Sequence, residues 1–100
     1  MDCRLKWSPE AVEDIESIAE YIGRDSNFYA KAVVSKIIKT AKTIIEQPNI
    51  GRIVPELSNQ NIRERFVYSY RIVYQIKIDS IIILAIIHGK RLIENIEERF

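Results

Sequence analysis

Cysteine occurs once in these 100 residues, at Cys3, and histidine once, at His88. A lone cysteine closes no intramolecular disulfide, and with one histidine it cannot build a thiolate- or imidazole-rich metal centre. Cys3 therefore reads as a small strand residue, in keeping with a reducing cytoplasm. Long apolar runs are also missing. The longest spans residues 81–87, far short of the roughly 18 residues of a membrane helix. Asp2, Arg4 and Lys6 interrupt the N-terminal residues, so no secretory signal is expected. The chain has no internal repeat, low-complexity tract or linker, and no P-loop or Ser-His-Asp set. Neither sign of charge dominates: the formal net charge is +1, so overall attraction to a polyanion is weak.

What is present is an ordinary globular composition, 47% hydrophobic and 29% charged, long enough for one core and one domain over residues 1–100. The chain is anchored on residues 70–91. Two runs rich in β-branched and aromatic residues flank Asp79-Ser80, the pattern of a β-hairpin. With Asp79-Ser80 as a two-residue loop, Ile78 faces Ile81, Tyr74 faces Ala85, and Arg71 faces His88. Side-chain alternation then puts Tyr70, Ile72, Tyr74, Ile76, Ile78, Ile81, Ile83, Ala85 and Ile87 on one apolar face. The other face mixes Arg71, Gln75, Lys77 and His88 with Val73, Ile82, Leu84 and Ile86. Its rim pairs a cation with an imidazole.

Elsewhere, residues 3–7 alternate as a first strand. Ser8-Pro9-Glu10 supplies an N-cap, a proline at the first helical position and an acid near the helix N-terminus. Ala11, Ile15, Ile18 and Ile22 keep helical spacing up to Gly23. Asp25 or Ser26 can cap a second helix, whose stripe includes Val33, Ile37, Ala41 and Ile44 and which stops before Pro48. Pro48, Gly51 and Pro55 make residues 47–61 irregular. Residues 62–67 form a further strand, joined through Tyr68-Ser69. A two-residue turn there puts Glu64 and Phe66 on the face of Arg71, with Arg63 and Arg65 opposite. Residues 92–100 carry a weak helical stripe of Ile93, Ile96 and Phe100. The expected fold is α+β, in the order β-α-α-β-β-β: a helical hairpin packed on one face of a small, mainly antiparallel sheet.

Between residues 62 and 91, Arg63, Arg65, Arg71, Lys77, Lys90 and Arg91 outnumber Glu64 and Asp79. Lys90 and Arg91 follow the last strand, where a basic pair can meet phosphate or an acidic partner. Arg52 sits in a long loop, free to serve a site or to pair with Glu56 or a helix carboxylate. Tyr70, Tyr74 and Trp7 read as core, and Asp14 as a surface or loop-anchoring carboxylate.

In order and spacing, Trp7-Ser8-Pro9-Glu10-Ala11, Asp14, Tyr21-Ile22, Pro48, Gly51-Arg52-Ile53-Val54-Pro55-Glu56, Ile62-Arg63-Glu64, Tyr70-Arg71-Ile72-Val73-Tyr74 and His88-Gly89-Lys90-Arg91 resemble the ParE/RelE superfamily of bacterial toxins. The resemblance covers essentially the whole chain. It implies the toxin of a type II toxin–antitoxin module, acting in growth arrest or plasmid stabilisation in the cytoplasm. It also implies a cognate antitoxin that adds a helix to the helical hairpin or a strand to a sheet edge, with no cofactor and no metal. RelE-like relatives cut messenger RNA on the ribosome with a basic cluster and a C-terminal tyrosine. Arg71 and Arg91 fall on two of their arginine positions, and His88 could accept a proton. That alternative makes Arg71, His88 and Arg91 catalytic. Ile62 and Glu64, however, occupy the positions of the two expected lysines, and Glu97 that of the tyrosine. ParE-like relatives poison DNA gyrase, and the blocks at 51–56 and 88–91 look more like theirs. On that reading Arg52, Arg71, His88, Lys90 and Arg91 bind the target. A degenerate, non-toxic binding module is the remaining alternative.

Overall fold

The computed structural model describes residues 3–89. Strand β1 (Arg4–Trp7) leads through Ser8 into helix α1 (Pro9–Gly23), and a short turn leads into helix α2 (Asn27–Ile44). A 3-10 turn at Pro48–Ile50 precedes β2 (Arg52–Ile53), β3 (Ile62–Val67), β4 (Tyr70–Ile76) and β5 (Ser80–His88). The sheet order is β1-β5-β4-β3-β2. β1 runs parallel to β5 and the remaining neighbours are antiparallel. The two-residue β2 had no place in the sequence reading. Arg52 and Ile53 are flanked by Gly51 and Pro55 but still pair with Glu64 and Arg63. Among the described residues no helix is long and apolar enough to cross a membrane. The expected tail stripe at residues 92–100 lies outside the described residues.

Both helices start where their caps predict. The Ser8 hydroxyl accepts from the Ala11 amide at 3.0 Å, and Ser26 from the Tyr29 amide at 3.1 Å. Each such cap stabilises its helix by about 1 kcal/mol. The stripe of α2 places Val33, Ile37, Ala41 and Ile44 against Ile72, Tyr74, Ile81 and Ile83 of the sheet, with Ala11 of α1 alongside. A second, smaller cluster of Val54, Leu57, Ile62, Val73, Leu84 and Ala85 lies on the opposite face, beneath the loop that joins β2 to β3.

The β3–β4 register is the one expected, with Phe66 opposite Arg71 and Val67 opposite Tyr70. Its tip residue Tyr68 takes a left-handed φ of 53°. The β4–β5 hairpin differs in two ways. Its loop is Ile78-Asp79, closed by the Lys77 amide donating to the Ser80 carbonyl. Ile78 is thus 94% exposed at the tip instead of on the core face. That shift moves the register by two residues and leaves the faces intact. A β-bulge then changes them: Tyr74 faces Ile83 while Val73 faces Ala85, so Leu84 is an extra residue on β5. Beyond it every side chain changes sides. Ile86 joins the helix-side core, while Ala85 and Ile87 pack on the loop side. Arg71 consequently lies opposite Ile87, and His88 lies opposite Tyr70. The expected Arg71–His88 pair is separated onto opposite faces.

Candidate functional site

Arg71 ends up in the interior. Strand pairing sets Glu64 diagonal to it on the loop-side face, within reach of long side chains. Its Nη1 donates to Glu64 Oε1 at 2.9 Å. From the loop, the Glu56 carboxylate grips the same guanidinium with both oxygens, at 3.2 and 3.1 Å. Arg52 on β2 donates from Nε to the second oxygen of Glu64 and stacks over the Phe66 ring at 5.4 Å. Glu64 and Arg71 are only 1% and 4% exposed. Two arginines and two carboxylates therefore alternate in one network at the sheet surface. Burial opposes the charge on Arg71, but the hydrogen bonds it donates to the two carboxylates, with their charges, outweigh it and raise its pKa. The Arg71 hydrogen bond is the main reason that the Glu56 carboxyl is held below its ordinary value.

The same loop is anchored from below. The fully buried Tyr74 hydroxyl donates to the Pro48 carbonyl at 2.7 Å and accepts from the Gly51 amide at 3.0 Å. Burial is the main cause that raises its pKa. A Cβ at Gly51 would stand 2.5 Å from the Glu64 carbonyl oxygen and 2.6 Å from the Tyr74 hydroxyl, so no side chain fits there. Arg63 donates to the Gly51 carbonyl at 2.9 Å. Tyr74 is core, as the sequence implied, and it also fixes the path of the loop that carries Arg52 and Glu56.

The predicted site residues thus separate. Arg52 remains largely exposed above Glu64, which pairs with it where the sequence reading offered Glu56 or a helix carboxylate. Arg71 is enclosed, its guanidinium engaged by the Glu56 and Glu64 carboxylates. His88 ends β5 on the helix side, exposed, with its ring meeting Tyr70 edge to face at 5.8 Å. Lys90 and Arg91 lie outside the described residues. Sequence reasoning gave Glu56 no role of its own and missed the anchoring hydroxyl of Tyr74. Asp14 anchors a strand: it accepts from the Ile86 amide at 3.0 Å on the β5 edge beyond the reach of β1. Next to it, the Ser8 hydroxyl donates to the Leu84 carbonyl. Among the described residues no group of three His, Cys, Asp or Glu side chains could hold a metal ion.

On the outer side of the helical hairpin is a groove of about 640 Å³. Ala30, Val34 and Ile38 form its floor, and Lys31, Lys39 and Lys42 lie along it. An apolar floor with a lysine rim suits an amphipathic helix with acidic flanks.

Residues 5–93 match the family model described as the ParE toxin of the type II toxin–antitoxin system parDE. This chain belongs to that family of toxins. Its fold is shared with the chromosomal ParDE toxin–antitoxin system of P. aeruginosa, at 22% identity and a TM-score of 0.74, covering 88% of this chain and 97% of that one. The toxin–antitoxin complex RelBE2 of Mycobacterium tuberculosis is similar at 14% identity and TM-score 0.64, covering 88% and 99% of the two chains. The YoeB dimer of Staphylococcus aureus is similar at 20% identity and TM-score 0.60, covering 88% and 98%. Comparison with curated protein sequences found no match.

Proposed function

We propose that this ParE-family toxin acts in the cytoplasm by poisoning DNA gyrase, without cleaving RNA, and that a cognate antitoxin neutralises it. The observation that carries the choice of target is the Glu56–Arg71–Glu64 network. Cleavage by 2′-hydroxyl attack needs a cationic group directed at the developing phosphate charge. Here Arg71, one of the two arginines that fall on arginine positions of RNA-cleaving relatives, is held by two carboxylates at 2.9 to 3.2 Å. A lysine position of RNA-cleaving relatives is filled by Glu64, itself buried within the network. A gyrase poison needs a binding surface instead of a catalytic set. Arg52 and His88, both exposed, and the sequence-adjacent Lys90 and Arg91 are its proposed members, with Arg71 supporting Arg52 through Glu64.

Two assays on the purified toxin test this. One follows gyrase supercoiling and cleaved-DNA accumulation; the other maps messenger RNA ends on translating ribosomes. Gyrase inhibition weakened by Arg52→Ala or Lys90→Ala is the expected outcome. Codon-phased RNA cuts with unimpaired gyrase would overturn it and make Arg71, His88 and Arg91 the catalytic candidates. Unchanged growth on induced soluble expression without antitoxin would leave a binding module only.

The lysine-rimmed groove supports the antitoxin reading, because it offers an unpartnered apolar floor to a helix. Co-expression with the neighbouring small gene product and size-exclusion chromatography test it. The two chains are expected to co-elute, and independent elution would remove the idea.

A further inference from the structure

The lysine rim is one bank of the hairpin groove, and the other bank has the opposite sign. Helix α1 carries Glu10, Glu13, Asp14, Glu16 and Glu20 with no lysine or arginine, while α2 carries Lys31, Lys36, Lys39 and Lys42 with no carboxylate. The net charge of +1 conceals this division. Glu13, Glu16 and Glu20 fall at i, i+3 and i+7, one row along α1. Glu16 is a turn before Ala19, which lines the groove, whereas Asp14, Ser17 and Tyr21 line the other flank of the helix. The row therefore forms the α1 bank, across the apolar floor from Lys31, Lys39 and Lys42. The charged residues of both banks are exposed. Among the described residues no salt bridge crosses the groove, and Glu20 meets Arg24 at 3.8 Å along its own chain.

Such a groove reads both flanks of a helix laid in it. A lysine rim alone asks for acid on either side of the apolar stripe. Against the glutamate row, acid meets like charge, which costs about as much as an opposite pair contributes. The complementary occupant is acidic on the flank toward α2, basic on the flank toward α1 and apolar between them. Turning such a helix end for end exchanges its flanks and sets like charges together on both banks. From Asn27 to Lys42 the helical rise gives roughly 22 Å, so about four turns of a partner helix lie between the banks.

We propose that the groove takes one antitoxin helix with unlike flanks, acidic toward α2 and basic toward α1, and that the two banks fix the direction in which that helix lies. The identity of the partner rests on the antitoxin reading above; the demand for unlike flanks does not.

The direct test uses synthetic amphipathic peptides of about 20 residues, long enough to hold helical structure. Two share a leucine stripe with glutamates along one flank and lysines along the other, the flanks being exchanged between them. A third has glutamates on both flanks. A nitroxide at the peptide N-terminus reports direction by broadening amide signals of the isotope-labelled toxin. One unlike-flank peptide is expected to broaden Asn27, by the α1–α2 turn, and its exchanged counterpart Lys42, at the far end. Both should bind about fivefold more tightly than the all-acidic peptide, a margin that shrinks in about 1 M salt. Glu13→Lys/Glu16→Lys/Lys39→Glu/Lys42→Glu alters exposed side chains only and should reverse the direction of each unlike-flank peptide. An all-acidic peptide that binds as tightly or more tightly, one direction shared by both unlike-flank peptides, or no binding by any peptide would overturn the proposal. A dimer of the toxin alone that Lys39→Glu/Lys42→Glu dissolves would assign the groove to a second copy and also overturn it. In the complex, Glu13→Lys/Glu16→Lys and Lys39→Glu/Lys42→Glu are each expected to raise the antitoxin Kd about tenfold. An effect confined to one pair, or to neither, would overturn the antitoxin assignment. Should the antitoxin fail to bind unaltered toxin, the antitoxin reading fails, and the peptide comparison still decides whether the groove reads both flanks.

Discussion

On the helix side of the sheet, Val33, Ile37, Ala41 and Ile44 meet Ile72, Tyr74, Ile81 and Ile83 with no ionised group among them. On the loop side, Val54, Leu57 and Ile62 share the surface with Glu64 and Arg71, both nearly inaccessible. The first face is non-directional: its stability follows the apolar area removed from water and tolerates volume-conserving changes of side-chain shape. The second depends on a few directional bonds, and each buried charge there is stable only while its partners remain. The loop-side face also holds Arg52, one of the proposed target contacts, which Glu64 bonds and Arg71 supports through Glu64. Hydrophobic burial builds the scaffold, and a four-charge network orients the surface displayed on it.

The largest expected effect comes from breaking the directional face. Arg71→Ala leaves Glu64, whose side chain is wholly inaccessible, with the exposed Arg52 as its remaining ion-pair partner. The expected loss is about 3–5 kcal/mol by urea denaturation. The double variant Glu64→Leu/Arg71→Met removes both buried charges together and should recover most of that loss. A loss below about 1 kcal/mol for Arg71→Ala would mean that the network behaves as a surface ion pair. The helix side gives the counterpart. Ile37→Ala should cost about 2–5 kcal/mol through its cavity, and Ile37→Val only about 0.5–1.5. These losses should be indifferent to salt. Salt dependence of the Ile37 variants would break the distinction between the faces.

Tyr74 bridges the two faces, its ring in the helix-side core and its hydroxyl under the loop. Tyr74→Phe keeps the ring and strands the Gly51 amide and the Pro48 carbonyl, at a cost of about 1–3 kcal/mol. Amide exchange should accelerate at Gly51 and the β2 amides and stay unchanged at Ile37 and Ile44. Uniform acceleration would mean that the loop and the core unfold as one unit.

The contrast between the faces explains what could be read from the sequence. Apolar periodicity is local, so the helical hairpin, β3 and β4 emerged from spacing alone, whereas the Glu64–Arg71 face followed only if the Tyr68-Ser69 turn has two residues, since a one-residue slip would reverse it. The β4–β5 pairing was less legible. Turn chemistry favours Asp79-Ser80 over the Ile78-Asp79 loop that forms, and that choice alone did not alter the faces. The bulge at Leu84 did alter them, and no glycine marks it. It occurs where Ser8 and Asp14, more than 70 positions away in the chain, bond the free edge of β5. The grip of Glu56 on Arg71 is similarly non-local, set by a loop whose path depends on Tyr74 and Gly51. Sequence spacing carries no record of such contacts, so the predicted Arg71–His88 pair was lost while the fold was not.

The smallest effect belongs to Glu56, whose side chain remains 35% exposed. The Arg71 hydrogen bond depresses its pKa from an ordinary value of 4.5, with burial acting in the opposite direction. A depressed value means that folding favours the ionised carboxylate. Its contribution is therefore fully present above about pH 4.5 and is lost as the pH falls through the lower folded value. Solvent screening keeps that contribution to about 1 kcal/mol or less. Glu56→Gln should be less stable than the unaltered chain at pH 7 by that amount. Between pH 5 and pH 3 the two stability curves should converge, because acid protonates in one chain the group already neutral in the other. Urea midpoints across that range provide the measurement. Curves that stay parallel would show that Glu56 contributes by packing or by neutral hydrogen bonding. The loop-side face would then owe its orientation to the buried Glu64–Arg71 pair alone.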